Sequence, residues 1–305
     1  MDILEPATGA TPMFRRKPWY DAPMYGIGPT DGWKSIPINE CGEPLVALGP
    51  FSDYPDVATD AVYWGQSPNT SPYRRGQLEG TLLTVFVREW VAKRLRSANT
   101  LLPPRHMLLV WDGYRPLSVQ HGLYTHHVGR RVGQGESQDF VKVDAQRFVS
   151  IPSDDPSRPP PHNTGVAVDL TIIRFSRQDW KRMEMLTRLV MEPESYSDVQ
   201  TLFTAEMERQ ELIRRAKPLK MGTVFDAVQP ETAARHYEGR RLWPWQYKVR
   251  RNRRMLHHVM AQSGLQAYGE EWWHFDALDS QFSLARIRHV GRGAAMYGPA
   301  TLSPE

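Results

Sequence analysis

Three short stretches of the chain concentrate side chains that could do chemistry: Asp112-Gly113-Tyr114-Arg115-Pro116, His162 through Asp169, and Glu271-Trp272-Trp273-His274. A catalytic zinc centre needs three nitrogen or oxygen ligands and an open position for water, and His162, Asp169 and His274 form such a set without cysteine. Glu271 adds a candidate base, and Arg115 a charge able to point into a pocket. Plainer readings remain beside these. Asp169 could cap a backbone amide, a lone histidine is more often a packing or surface residue, Trp272 and Trp273 read as core, and Arg115 could simply pair with Asp112.

Periodicity outlines the strands, turns and helices around these residues. His162 and Asp169 lie seven residues apart, too far for one helical face, which suits a loop ligand followed by a strand ligand with Gly165 in the turn. Val166 to Ile172 alternates as a strand, with Ala167, Asp169 and Thr171 on one side and Val166, Val168, Leu170 and Ile172 on the other. Glu271 and His274 share a face only if the chain turns or bulges between them. His106 to Trp111 reads as a buried strand running into the Asp112-Gly113 turn, from which Arg115 emerges.

Helices are expected over 80–96, where Leu82, Leu83, Val85, Phe86, Trp90, Val91 and Leu95 recur at helical steps, and over 117–128 and 250–262. The last of these should stop at Ser263-Gly264 in a left-handed cap. Residues 129–161 read as mostly loop. Within 176–217 two helical stretches, Trp180–Met191 and Val199–Ile213, predict a helical hairpin inserted in one catalytic domain that spans 1–305. Residues 1–55, rich in proline and glycine, predict an extended arm on the surface.

Composition narrows the classes. Hydrophobic residues make up 40% and charged residues 24% of the 305 residues, a globular balance with material for a well-buried core. The net charge of +4 is modest and its basic residues are scattered, so nucleic acid is not the expected partner. One cysteine, Cys41, excludes an intrachain disulfide framework and fits a reducing cytoplasm. No apolar run is long enough to span a bilayer and no usual export signal is read, so a soluble cytoplasmic protein without membrane partners is expected.

Taken together and in this order, the segments resemble the zinc D-alanyl-D-alanine dipeptidases of the VanX type. The resemblance covers roughly residues 60–280 and includes Trp111 to Pro116, His162 to Thr171, Met221-Gly222-Thr223-Val224-Phe225-Asp226, Asn252-Arg253-Arg254 and Glu271 to His274. It implies one zinc ion on His162, Asp169 and His274, a catalytic base at Glu271, and transition-state stabilisation by Arg115. It further implies that Asp226 receives the ammonium of a small dipeptide substrate, with Tyr63 as a substrate contact. The fold it implies is α+β, an antiparallel sheet with flanking helices and a zinc-centred cleft.

The chain departs from this pattern at two places. Pro160 and Pro161 stand where family members of the vancomycin-resistance type carry serines, so a hydroxyl that could orient substrate is missing. The arm and the hairpin have no counterpart in the compact members and could serve as a lid, a substrate-selecting wall or a homo-oligomer contact. Alternatives to a dipeptidase are a D,D- or L,D-carboxypeptidase or specialised-metabolite peptide hydrolase on the same centre, and a non-catalytic protein stabilised by its metal. Glu271 argues against the last, since structural zinc has no use for a neighbouring base.

Overall fold

The computed structural model describes residues 18–65, 72–139, 141, 150–192, 198–239, 241–287 and 293–302. Its strands are β1 (Leu45–Ala47), β2 (Ala58–Thr59), β3 (Phe86–Arg88), β4 (His106–Asp112), β5 (Ala167–Arg174), β6 (Lys217–Pro218), β7 (Leu265–Ala267) and β8 (His274–Ala277). Its helices are α1 (Glu89–Leu101), α2 (Leu117–Gly133), α3 (Arg177–Met191), α4 (Val199–Arg215), α5 (Pro244–Gln262) and α6 (Gln281–Arg286).

The architecture is α+β, and the most apolar strands lie at its centre. The main sheet runs β2-β4-β5-β8-β7, with β6 paired to the far end of β5. Its pairings are antiparallel except at the edge, where the short β2 runs parallel to β4. In β5 every residue from Ala167 to Ile173 is buried, so both faces of this strand are covered and the alternation in its sequence separates two interiors. One hydrophobic cluster joins Leu48, Val87, Leu95, Leu108, Leu170, Val259 and Tyr297, drawing α1 and α5 onto the sheet.

Strand register is the step that assembles the site. Asp112 on β4 pairs with Asp169 on β5, and Asp169 pairs with His274 on β8. A register shift between Val110 and Asp112 makes this alignment possible.

Several expectations hold and others are corrected. The hairpin helices form as α3 and α4, capped by Ser176 and Asp198, whose side chains accept from Asp179 and Thr201 backbone N–H groups. The turn between them, 193–197, lies outside the described residues. α5 ends at Gln262 and is followed by Gly264 at φ of 84°, the left-handed glycine expected after Ser263. The helix expected from Gly80 begins only at Glu89, because Phe86–Arg88 is a strand antiparallel to β1. Its apolar spacing fits either element, and pairing with β1 decides. α2 runs on to Gly133, five residues beyond the expected end.

The arm is more integrated than a surface wrap. Beyond residues 1–17, which lie outside the described residues, it buries Met24, Ile36, Leu48 and Tyr54 and supplies β1.

Candidate functional site

His162 sits in a short 3-10 helix, Pro161–Thr164, whose exit is Gly165 at φ of 74°. A Cβ at Gly165 would approach Leu45 Cδ2 to 2.6 Å, so the turn that delivers β5 needs glycine for space as well as for conformation. His274 opens β8 immediately after the turn that carries Glu271, the break in regularity required for the two to face one centre.

The three candidate ligands converge. His162 Nε2 lies 3.1 Å from His274 Nδ1 and 3.4 Å from Asp169 Oδ2, and His274 Nδ1 lies 3.0 Å from Asp169 Oδ1. All three residues are buried. Donors bound tetrahedrally at zinc distances stand about 3.3 Å apart, so the set fits a metal ion of that size.

Hydrogen bonds on the outer side of each ring fix its orientation. His162 Nδ1 faces the Gly113 carbonyl at 2.9 Å, which can only accept, so the ring nitrogen there is the protonated one and Nε2 is left as donor to a metal. His274 Nε2 faces Asp276 Oδ1 at 3.2 Å, and Arg286 holds the other oxygen of Asp276 at 2.6 Å. His274 Nδ1 is thereby turned towards the centre.

Charges at the centre are strongly perturbed. Burial pulls the His274 pKa down, but Asp276 and Asp169 outweigh it and carry it up to about 10. A metal ion binding there must displace that proton. Burial pushes Asp169 up, yet His162 and His274 hold it well below the usual carboxylate range. Burial, reinforced by Asp169 and Asp226 against the pull of His274, holds Glu271 well above its ordinary value. Glu271 Oε2 stands 4.0 Å from His274 Nδ1.

Arg115 is locked in place on the next flank. It donates to Asp112 at 2.9 Å, Gln120 at 2.8 Å and the Tyr63 hydroxyl at 2.9 Å, and its Nη2 is 3.5 Å from Asp169. The plain reading of an Asp112 partner and the reading of a charge aimed at the centre are therefore both realised. Burial pulls the Arg115 pKa down, but Tyr63, Asp112 and Asp169 outweigh it. Asp226, at φ of 59°, accepts a short hydrogen bond from the Tyr73 hydroxyl, and burial raises its pKa to about 6.

These seven residues, His162, Asp169, His274, Glu271, Arg115, Asp226 and Tyr63, all line one cleft of about 340 Å³, at the small end of ligand pockets. Pro160 and Pro161 line it too. Thr30, Trp33 and Lys34 of the N-terminal arm close another side, with Trp33 stacked on Phe282 at 4.1 Å. Among the described residues none of the hairpin lines this cleft, so the wall expected of either segment comes from the arm.

Four supporting residues escaped the sequence reading in these roles: Tyr73 on Asp226, Gln120 on Arg115, and Asp276 with Arg286 behind His274. Asp276 had a signal, since residues two apart on a strand share a face. Tyr73 had none, lying 153 positions from its partner.

Residues 176–290 match the peptidase M15 family described as D-ala-D-ala dipeptidase. A D-alanyl-D-alanine dipeptidase of Synechocystis sp. is 26% identical over 268 residues, covering 82% of this chain and 88% of the relative. Among solved structures, a vancomycin-resistance D,D-pentapeptidase VanY in complex with Zn(II) aligns at 12% identity and a TM-score of 0.30, covering 83% of this chain and 93% of that one. VanYB in complex with D-alanine-D-alanine aligns at 14% identity and a TM-score of 0.30, covering 69% and 83%. Among the described residues no helix is long and apolar enough to cross a membrane. The chain is thus similar, over 176–290, to the peptidase M15 family described as D-ala-D-ala dipeptidase and, over most of its length, to one D-alanyl-D-alanine dipeptidase, the kind of protein that its sequence motifs resemble.

Proposed function

We propose that this protein hydrolyses a small free dipeptide, D-Ala-D-Ala in the first instance, with one zinc ion as cofactor. The observation that carries the reading is the convergence of the His162, Asp169 and His274 donor set with Glu271, Arg115 and Asp226 in one cleft. The names of the matching family and of the Synechocystis relative support the same substrate class.

His162, Asp169 and His274 would hold the zinc ion, which when bound would supply Lewis acidity and lower the pKa of water towards neutrality. Glu271 takes the proton of the attacking water and passes it to the leaving amine. Arg115, immobilised by Asp112, Gln120 and Tyr63, offsets the negative charge that develops on the carbonyl oxygen. Its partners keep it in place before substrate arrives, so little reorganisation accompanies the reaction.

Asp226 pairs with the free ammonium of the substrate, and Tyr73 orients that carboxylate. Acylating the ammonium removes the charge and leaves Asp226 without its partner, which selects free dipeptides over longer or blocked ones. Pro160 and Pro161 make the cleft wall before His162 one of shape, without a side-chain hydroxyl. The single exposed cysteine, Cys41, supports a cytoplasmic setting, which cell fractionation tests.

The test is hydrolysis of D-Ala-D-Ala, its L,L isomer and its N-acetyl derivative, with and without added zinc, using Glu271→Gln as the control. Zinc-dependent cleavage of the free D,D form is expected, with a loss of about 100- to 10,000-fold in Glu271→Gln. Equal rates on free and N-acetylated dipeptide, or full turnover by Glu271→Gln, would sink the proposal.

A further inference from the structure

Asp226 lies in a stretch that cannot hold it by itself. Residues 219–229 carry no helix or strand, and the φ of 59° at Asp226 is in the left-handed region that a non-glycine residue adopts at a cost. The restraint comes from α5. Arg253, 2% exposed, donates from Nε to the Met221 carbonyl, from Nη1 to Ala233 and from Nη2 to Glu231, each at 2.7 Å. Its neighbour Asn252 donates to the Lys220 carbonyl at 2.9 Å.

These contacts grip both ends of one segment, 220–233, with Asp226 between them. Among the described residues Arg253 makes no ion pair, and the hydrogen bonds of its guanidinium go to main-chain carbonyls of that segment alone. Its flat face continues the contact, 4.8 Å from the Tyr237 ring centre and 5.8 Å from that of Trp272. Tyr237 in turn covers Gly222, where a Cβ would come within 2.5 Å of its hydroxyl, and Trp272 Nε1 donates to Thr223 Oγ1 at 2.8 Å. Trp272 adjoins Glu271, so the same guanidinium spaces the Asp226 segment from the turn that carries the base.

We propose that Arg253 is a positioning residue for substrate binding: by tying the two ends of segment 220–233 to α5 it holds Asp226 where it meets the ammonium of the dipeptide. The inference rests on the reading of Asp226 given above. Lysine cannot replace this arginine, because a single ammonium lacks the planar fork that serves three diverging carbonyls.

Three readouts on zinc-loaded protein test it: steady-state kinetics on the free dipeptide, zinc content, and amide hydrogen exchange across 222–229. Arg253→Lys is expected to raise KM by about 100-fold, the scale of a misplacement of about 1 Å, with kcat nearly unchanged and zinc content full. Exchange should quicken in 222–229 while β4 and β5 stay protected. The double variant with Asp226→Asn should bind no worse than Asp226→Asn alone, because both remove one interaction.

Unchanged KM and exchange in Arg253→Lys, or losses that multiply in the double variant, overturn the proposal. An Asp226→Asn protein with normal KM would remove the ammonium reading, and the exchange data would still decide whether Arg253 is the clamp. Should Arg253→Lys fail to fold, the wild-type exchange pattern decides: protection of 222–229 comparable with α5 supports the clamp, and free-chain exchange rates overturn it.

Discussion

Replacing Asp226 by asparagine should stabilise the metal-free protein near neutral pH while weakening its use of a free dipeptide. Asparagine has nearly the same shape, tolerates a left-handed backbone, and can accept the hydrogen bond that Tyr73 now donates to Asp226. What the change removes is a charge. Burial raises the Asp226 pKa from 3.8 to about 6 against the opposing pull of Tyr73 and Arg115. The folded protein therefore binds more protons than the unfolded chain between those values. The contribution of this group to stability is complete below the unfolded value and is lost as pH rises through about 6.

A difference of about 2 pKa units at about 1.4 kcal/mol each amounts to about 3 kcal/mol at neutral pH. Asp226 keeps some solvent exposure, so screening trims this to about 1–2 kcal/mol. Urea denaturation of chelator-treated protein, where no bound cation offsets the carboxylates, is the assay. At about pH 4 the variant and wild type should unfold together, and at about pH 7.5 the variant should be more stable by about 1–2 kcal/mol. In the zinc-loaded form the same variant should show a raised KM for the free dipeptide and little change for an N-acetylated one. A variant no more stable than wild type at neutral pH would refute the argument that desolvation dominates at Asp226.

Two further changes probe the supports of the metal centre. Asp276→Ala removes the acceptor of His274 Nε2 and leaves the buried guanidinium of Arg286 without its carboxylate. Zinc affinity measured against a competing chelator should fall about 10- to 100-fold, and stability by about 3–5 kcal/mol; unchanged affinity would remove Asp276 from the support of the site. Gly165→Ala places a side chain at φ of 74° and against Leu45, so a loss of about 1–3 kcal/mol in thermal unfolding is expected, and a melting temperature equal to wild type would contradict it.

Much of the local structure was legible because it depends on neighbours in sequence. The apolar spacing of Trp180–Met191 and Val199–Ile213 is helical whatever surrounds it, and the alternation from Val166 is that of a strand. Gly264 and Gly165 take the left-handed conformations that their places after a helix and before a strand require. Phe86–Arg88 is a strand where the spacing suits helix and strand alike, and only the antiparallel contact with Leu45–Ala47 separates the two. The arm was read as peripheral because its buried residues, Met24, Ile36 and Leu48, are too sparse to show a period.

The sequence sets which chemistry is available: two histidines and an aspartate without cysteine restrict a metal site to nitrogen and oxygen donors, and the joint motif order narrows the family resemblance. It also marks the turn into β5, since glycine at 165 is a local property, whereas a break before His274 is only what a shared face would require. The folded chain is what puts Asp112, Asp169 and His274 in adjacent register on three strands. It alone brought Tyr73 to Asp226 across 153 positions and the N-terminal arm to the cleft. Residue type and periodicity describe what a segment can do, whereas a site exists only where strand pairing and side-chain burial bring remote segments within hydrogen-bonding distance.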